Sequence, residues 1–561
     1  MTEGGLPKKS QQTQRTRAQP TPRTASAWAL WPCAAVLLVV TTIAFSPALT
    51  AQLLSWDDQS YVSDNAMLRD TAGLGRIWNP TAGGQPQYYP LLFTSYWLEY
   101  HVWGARSAGY HGTNLALHLV NVVLVLLLVQ RLGAAPWAAV GAAAIFALHP
   151  TQVASVVWVA ERKNVLSGFF YLLAFLLFLR HRSRDAWGPY VGSLGAFCAA
   201  LLSKTQTVTL PGSLLITDWL LQSSGRIRRM GLAGLAARLA PMLLLGVLMA
   251  TVTSSFERAA VGASWFRLPP LATRPFIAAT APWFYAATFL VPVDLSPIYP
   301  MWSVSPGDPK WWLPLLAWPL VGAAVYRWRA RIGALPLWGL AHFCICIIPV
   351  IGLVPFGYQQ HTLVADHYLY LANIGAAVAL ASWADRLAGA AIWTRRRRMI
   401  TGLGLVLCAF YAVQSYHEAG YWHDTPTFWQ RVLARNPTSF AAQYSLGHHY
   451  RDQRDWPAAL PYYRSAYAIR SDHPGAFRWY AKALRATQGD QAALAFCNAK
   501  LQQDPNFLAA YLERATSYER LGNRAAATAE YRQVLRLAPR NSEGERIAQS
   551  NLRRLQVGTN N

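Results

Sequence analysis

Acidic residues are scarce in this chain. Asp and Glu number 26 against 50 Lys and Arg, and charged residues of every kind fill only 14% of its 561 positions. So little charge beside 53% hydrophobic residues is too apolar for an ordinary soluble protein. Cysteine is equally sparse. Cys33, Cys198, Cys344, Cys346 and Cys408 lie in apolar runs and Cys497 in a polar tail, a spacing that excludes both a disulfide framework and a zinc ribbon. A clear signal-cleavage site is also missing. The polar N-terminus carries Lys8, Lys9, Arg15, Arg17 and Arg23, and the run after it, Trp28 to Leu49, is too long for a signal-peptide core, so it reads as a retained helix. The net charge of +24 does not indicate a nucleic-acid partner, because the basic residues sit in short loops between apolar runs and on a helical tail.

What the chain does have is a series of apolar runs long enough to cross a bilayer. They fall at about 27–50, 111–130, 136–150, 164–180, 188–203, 206–222, 234–253, 276–293, 311–326, 335–353, 369–388 and 400–417. Basic clusters punctuate them: Arg131; Arg180, Arg182 and Arg184; Arg226, Arg228 and Arg229; Arg327, Arg329 and Arg331; and Arg395 to Arg398. With the N-terminus in the cytoplasm, alternation puts the first three clusters inside. The last two return inside only if 276–293 does not cross, and Pro275, Pro282 and Pro292 make it a poor straight span. The expectation is an all-α polytopic membrane protein with about eleven crossings plus one re-entrant or interfacial segment. The C-terminal tail then lies outside, on the face of Asp57 and Asp58.

From about 425 the chain becomes polar and repetitive. Gly447, Ala481 and Ala515 recur every 34 residues, as do Ala459, Ala493 and Ala527, and Tyr463, Cys497 and Tyr531; Pro505 and Pro539 close the last two units. A 34-residue period with small residues at fixed offsets is that of the tetratricopeptide repeat (TPR), an α-solenoid. The expected organisation is a disordered basic cytoplasmic tail (1–26), a transmembrane domain (27–420) with a long aromatic outer loop (51–110), three repeats within 425–541, and a C-terminal tail (542–561).

Four constellations could carry chemistry. Asp57 and Asp58 follow the first span directly, where a carboxylate is tolerated only in a polar cavity or in solvent. Neighbours in sequence cannot point the same way. One could act as a base while the other fixes the loop or binds a substrate hydroxyl, and desolvation would raise a carboxylate toward general-base values; the competing reading is an exposed turn. His111, Asn114, His118 and Asn121 share one face of the second span, facing a pocket or bonding between helices, the latter suiting Asn121 best. Glu161-Arg162-Lys163 and Ser203-Lys204-Thr205 place cations at outer helix ends that normally avoid them. A lipid phosphate accounts for Lys204. For Arg162 and Lys163 a phosphate role stands beside snorkelling or a Glu161 salt bridge. Asp366-His367-Tyr368-Leu369-Tyr370 forms a Tyr-rich mouth that could touch a lipid or a sugar, or sit in an aromatic belt.

Taken in order, several short motifs resemble the transmembrane-and-TPR O-mannosyltransferases and their bacterial relatives. They are Trp56-Asp57-Asp58, Tyr88-Tyr89-Pro90, Gly109-Tyr110-His111 with Asn114, Leu148-His149-Pro150, Val157-Trp158-Val159 with Arg162, Ser203-Lys204 and Asp366-His367-Tyr368-Leu369-Tyr370-Leu371. The resemblance covers nearly the whole chain after residue 27. It implies a GT-C fold whose first outer loop carries the catalytic acids, Asp57 and Asp58, and a polyprenyl-phosphate sugar as donor. No cofactor or metal is implied. Lys204, helped by Arg162 or Lys163, would stabilise the leaving phosphate; Tyr89, His111, Asn114, Asp366, His367 and Tyr368 would line the substrate pocket. One residue departs from the pattern: His367 stands where the family tends to have Arg, which implies a pH-dependent charge.

The expected function is an inverting glycosyltransferase that moves a hexose, mannose among them, to a protein or glycan hydroxyl outside a bacterial cytoplasmic membrane. Its TPR tail would recruit the acceptor protein or peptide. The alternative is a non-enzymatic TPR scaffold for envelope complexes, against which the many spans argue, since an anchor needs one. Long outer loops without matching inner ones disfavour a transporter.

Overall fold

The computed structural model describes residues 30–82, 87–261, 269–354, 356–389 and 394–557. The expected basic tail 1–26 lies outside the described residues. All regular structure among these residues is helical. Along the first half run α1 (Trp31–Ala44), α2 (Ala72–Trp78), α3 (Pro90–Trp103), α4 (Ser107–Arg131), α5 (Pro136–Leu148), α6 (Val153–Val157), α7 (Arg162–Arg184), α8 (Trp187–Leu201), α9 (Leu210–Ser223) and α10 (Leu232–Val261). Then come α11 (Arg274–Leu290), α12 (Trp312–Ile332), α13 (Ala334–Ile347), α14 (Ala372–Ala388) and α15 (Arg395–Gly420). The tail holds α16 (Thr425–Arg435), α17 (Phe440–Asp452), α18 (Trp456–Ile469), α19 (Pro474–Gln488), α20 (Asp490–Gln503), α21 (Leu508–Arg520), α22 (Arg524–Leu537) and α23 (Glu543–Val557).

A helix underlies every apolar run, but not every helix can span a bilayer by itself. Among the described residues, 4 are long and apolar enough by length and composition: 107–131, 159–184, 232–259 and 395–420. The pair Pro136–Leu148 and Pro150–Val157, bent by 52°, makes up to 5. The bend falls at Pro150, which disfavours helical backbone at His149 before it. The other runs lie on shorter or less apolar helices, such as α1 and α9 with 14 residues each and α8 with 15.

The backbones of α13 and α14 approach closely. A Cβ added at Gly339 would lie 2.4 Å from the Gly375 carbonyl, and one at Gly375 would lie 2.4 Å from the Gly339 carbonyl. Only two glycines facing each other permit that approach. Part of the polar face of α4 bonds inside the bundle. Asn121 Nδ2 donates to Val165 O at 2.8 Å and to the Tyr370 hydroxyl at 2.9 Å, and His118 Nδ1 lies 3.0 Å from the same hydroxyl.

The described residues within 51–110 include the helices α2 and α3 and a buried side of their own. Tyr61, Leu92, Phe93 and Tyr96 are buried, and Trp97 Nε1 ties α3 back to Asp70 O at 2.9 Å. In the tail, short polar caps start the helices: Asp424, Ser439, Asp455 and Asn523 each accept a bond from a backbone amide of the first turn. The 34-residue recurrence has a packing cause. A Cβ on Gly447 would meet the Tyr463 ring at 2.6 Å, while Ala481 and Ala515 are fully buried at the equivalent positions. The segment beyond 542 continues as α23, which packs on α22.

Candidate functional site

Asp57 and Asp58 part company as soon as the chain leaves α1. Asp58 is fully buried: its Oδ2 accepts from Leu54 N at 3.0 Å and its Oδ1 from Ala160 N at 2.8 Å. Burial pushes its carboxyl up to about 7, against the pull of those two amides. It staples the segment to the start of α7. Asp57 instead lines a cleft of about 640 Å³. Burial raises its carboxyl as well, with Lys163 lowering it in part and Glu161 and Glu257 adding to the rise.

Across the cleft stand Glu161, Lys163, Lys204 and His367. Glu161 Oε1 is 2.9 Å from Lys163 Nζ, and its Oε2 is 3.2 Å from Lys204 Nζ. Asn164 locks the group: its Oδ1 accepts from Lys204 Nζ at 2.7 Å, while its Nδ2 donates to Glu161 at 2.6 Å and to His367 O at 3.0 Å. Burial pushes Lys204 down to about 8; Glu161 opposes that and Lys163 adds to it. Burial also pushes His367 down to about 3; Glu161 opposes, and Lys204 and Lys163 push further. Burial thus favours the neutral imidazole, while Glu161 Oε1, 4.0 Å from His367 Nε2, favours the charged one.

Two further walls complete the cleft. Tyr89, Gln87 and Glu257 form a polar side, where Glu257 accepts from Gln87 Nε2 at 2.5 Å and from Gly357 N at 2.8 Å. Val208, Ala250, Ile348, Pro349, Leu353 and Val354 form an apolar arm that runs to the surface, where Ile348 and Val354 are more than half exposed. Tyr368 and Trp56 line the cleft too.

Several residues expected at the site lie elsewhere. Arg162 follows Glu161 but turns away from the cleft, since neighbours on a helix are about 100° apart. Its guanidinium is fully buried against Glu99 at 2.5 Å, Asn114 Oδ1 at 2.7 Å and Tyr110 O at 2.9 Å, with the Tyr96 ring at 4.6 Å. That network takes Asn114 out of the cleft with it, and His111 is buried on the same helix away from the lining. Asp366 accepts from the Tyr299 hydroxyl at 2.8 Å behind the cleft wall, and burial raises it to about 8. Conversely, Asn164 and Glu257 were not singled out in the sequence. Glu257 did leave a signal, a lone carboxylate at the end of a long apolar run. Asn164 left none. Among the described residues, no group of three or more His, Cys, Asp and Glu side chains comes together as a metal site would need.

No protein-family profile matches the chain. Mouse protein O-mannosyl-transferase TMTC3 is 22% identical over 463 residues, covering 75% of this chain and 49% of the mouse protein. Drosophila protein O-mannosyl-transferase Tmtc1 is 33% identical over 128 residues, covering 23% of this chain and 15% of the fly protein. The chain thus spans about half the length of these relatives or less. Among solved structures, the archaeal oligosaccharyltransferase AglB from Archaeoglobus fulgidus superposes with a TM-score of 0.41 at 12% identity, over 87% of this chain and 71% of that one. In sequence, this chain is similar to the TMTC protein O-mannosyl-transferases, the family its motifs resemble.

Proposed function

We propose that the protein is an inverting GT-C-type glycosyltransferase. It transfers a hexose, mannose by analogy with the relatives' names, from a polyprenyl-phosphate donor to a protein or glycan hydroxyl on the outer face of a bacterial cytoplasmic membrane. The observation that carries this reading is that one cleft is shared by a half-buried carboxylate, Asp57, and by two buried ammonium groups, Lys163 and Lys204. The apolar arm supports a lipid-linked donor, since it leads from the two lysines to exposed aliphatic surface where a prenyl chain can lie.

In the proposed reaction the acceptor oxygen attacks the anomeric carbon while Asp57 takes its proton. The bond from the anomeric carbon to the phosphate oxygen breaks, and the phosphate leaves with the electron pair. Attack opposite the leaving group inverts the centre. Lys163 and Lys204 stabilise the growing phosphate charge in a site shielded from water, where preorganised cations act most strongly. Glu161 and Asn164 hold both lysines in place before the donor arrives. Tyr89, Gln87 and Glu257 offer donors and acceptors to sugar hydroxyls. In this reading the bundle keeps about eleven crossings, and the tail is a TPR array on the cleft's side of the membrane that presents the acceptor.

The test is Asp57→Asn in the cell, with membrane expression verified and envelope-protein glycans profiled by mass spectrometry. Loss of a hexose at an unchanged protein level is expected. An unchanged glycan profile would overturn the assignment.

A further inference from the structure

The segment that carries Asp57 is held from the far end of the chain. Thr425, the first residue of α16, accepts at Oγ1 from both Ser55 N and Ser55 Oγ, each at 3.0 Å, across 370 residues of sequence. Just before it, His423 O accepts from Gln52 N at 2.8 Å. Trp56, on the cleft wall beside Asp57, stacks on Trp158 at 4.6 Å. On its other sides it meets the tail, with the Trp429 ring at 5.0 Å and the Phe428 ring at 6.0 Å, both residues buried, and the segment before α14, with the Tyr358 ring at 6.0 Å and the His361 ring at 6.3 Å. Trp422 closes the cluster 5.7 Å from Trp158. Residues 52 and 55 are therefore gripped by the tail, Trp56 is packed between the tail and the bundle, and Asp58 is gripped by the bundle through Ala160. Asp57 is the residue between the two grips.

We infer that the entry to the tail is a positioning element of the cleft, with Thr425 and Trp429 setting where the Asp57 carboxylate stands. Asp57 opens a short helical stretch directly after the turn at Ser55 and Trp56, so a shift of that turn carries its carboxylate with it, and a displacement of about 1 Å in a reacting group costs about 100-fold in rate. The role assigned to Asp57 rests on the glycosyltransferase reading; the grip on residues 52–56 does not. Thr425 and Trp429 touch no substrate and act through Ser55 and Trp56. The tail is thus part of the machinery and more than an acceptor-binding appendage.

The experiment uses the full chain in lipid nanodiscs, comparing Thr425→Val with Thr425→Ser and Trp429→Ala with Trp429→Phe. Three quantities are read: amide hydrogen exchange over residues 52–58, binding of undecaprenyl phosphate, and hexose transfer from polyprenyl-phosphate mannose. Thr425→Val is expected to speed exchange at the Ser55 amide about five- to tenfold, with α7 and α19 unchanged. Its turnover should fall about tenfold or more at unchanged donor KM and unchanged lipid-phosphate affinity. Thr425→Ser should restore both exchange and turnover, and Trp429→Phe should restore most of what Trp429→Ala loses. Wild-type exchange at Ser55 in Thr425→Val, or a Thr425→Ser variant as impaired as Thr425→Val, would overturn the inference. Undiminished transfer by Asp57→Asn would instead overturn the glycosyltransferase reading and leave the exchange result standing, so the two failures are distinguishable.

Discussion

Glu161 and Lys204 meet at 3.2 Å across 43 residues of sequence, and Glu161 holds Lys163 at 2.9 Å with its other oxygen. Two ammonium groups against one carboxylate leave one net positive charge on that wall. A lipid-linked phosphate is the anion the proposed reaction brings there. Lys204→Ala should lower kcat/KM by about 100-fold. Lys204→Gln should do the same, because it keeps a hydrogen-bond donor and loses the charge. Steady-state rates at several donor concentrations check both.

The pH profile should be bell-shaped. A base must be deprotonated, and burial holds the Asp57 carboxyl above its ordinary value of 3.8, so the acid limb should lie above the usual carboxylate range. Lys204 is pushed down to about 8, so its charge is lost as pH rises through that value and the rate should fall with it. Lys204→Arg should move the alkaline limb upward, since a guanidinium stays protonated. A profile of kcat/KM against pH for both proteins decides this.

Asp58→Asn should cost stability. The new amide nitrogen would face the Leu54 or Ala160 N–H, leaving a buried donor unpaired at about 1–3 kcal/mol. The sign of the pH dependence follows from the raised carboxyl. A pKa of about 7 in the fold, above the unfolded value, means that the proton stabilises the fold below the carboxylate range and that this contribution is lost as pH rises through 7. The gap between wild type and Asp58→Asn should therefore narrow between pH 5 and pH 8, as read by thermal unfolding in nanodiscs.

Arg162→Ala should behave as a folding defect and not as a donor-binding defect. It strands Glu99 beside a buried hole, and breaking a buried pair from one side costs about 3–5 kcal/mol. Folded yield should drop sharply, while the surviving folded fraction binds undecaprenyl phosphate with wild-type affinity. Arg162→Lys should rescue little, because a lysine cannot reach Glu99, Asn114 and the Tyr110 carbonyl together.

Gly375→Ala should force α13 and α14 apart, because the added carbon would sit 2.4 Å from a backbone carbonyl that cannot move by itself. Overpacking of this kind costs about 1–3 kcal/mol or more. Gly402→Ala, where nothing lies within 4 Å, is the matched control and should be neutral. Fluorescence-detected size exclusion of the two variants after heating makes the comparison.

The sequence by itself determined where the helices are. Each apolar run coincides with one, because a run of that length has few other ways to bond its backbone away from water. The small residues of the tail likewise foretold its helix contacts, since a fixed offset such as Gly447 against Tyr463 is a local fact that repeats. It also marked Asp57, Lys163, Lys204, Tyr89, His367 and Tyr368, all of which the structure brings to one cleft. Only the tertiary structure decided which of two neighbours faces that cleft. Asp57 and Asp58 look alike in sequence, as do Arg162 and Lys163. What separates them is a partner elsewhere in the chain, the Ala160 amide for Asp58 and the Glu99 carboxylate for Arg162. A buried charge goes where its counterpart is, and that counterpart is fixed by how the helices pack, not by the order of residues beside it.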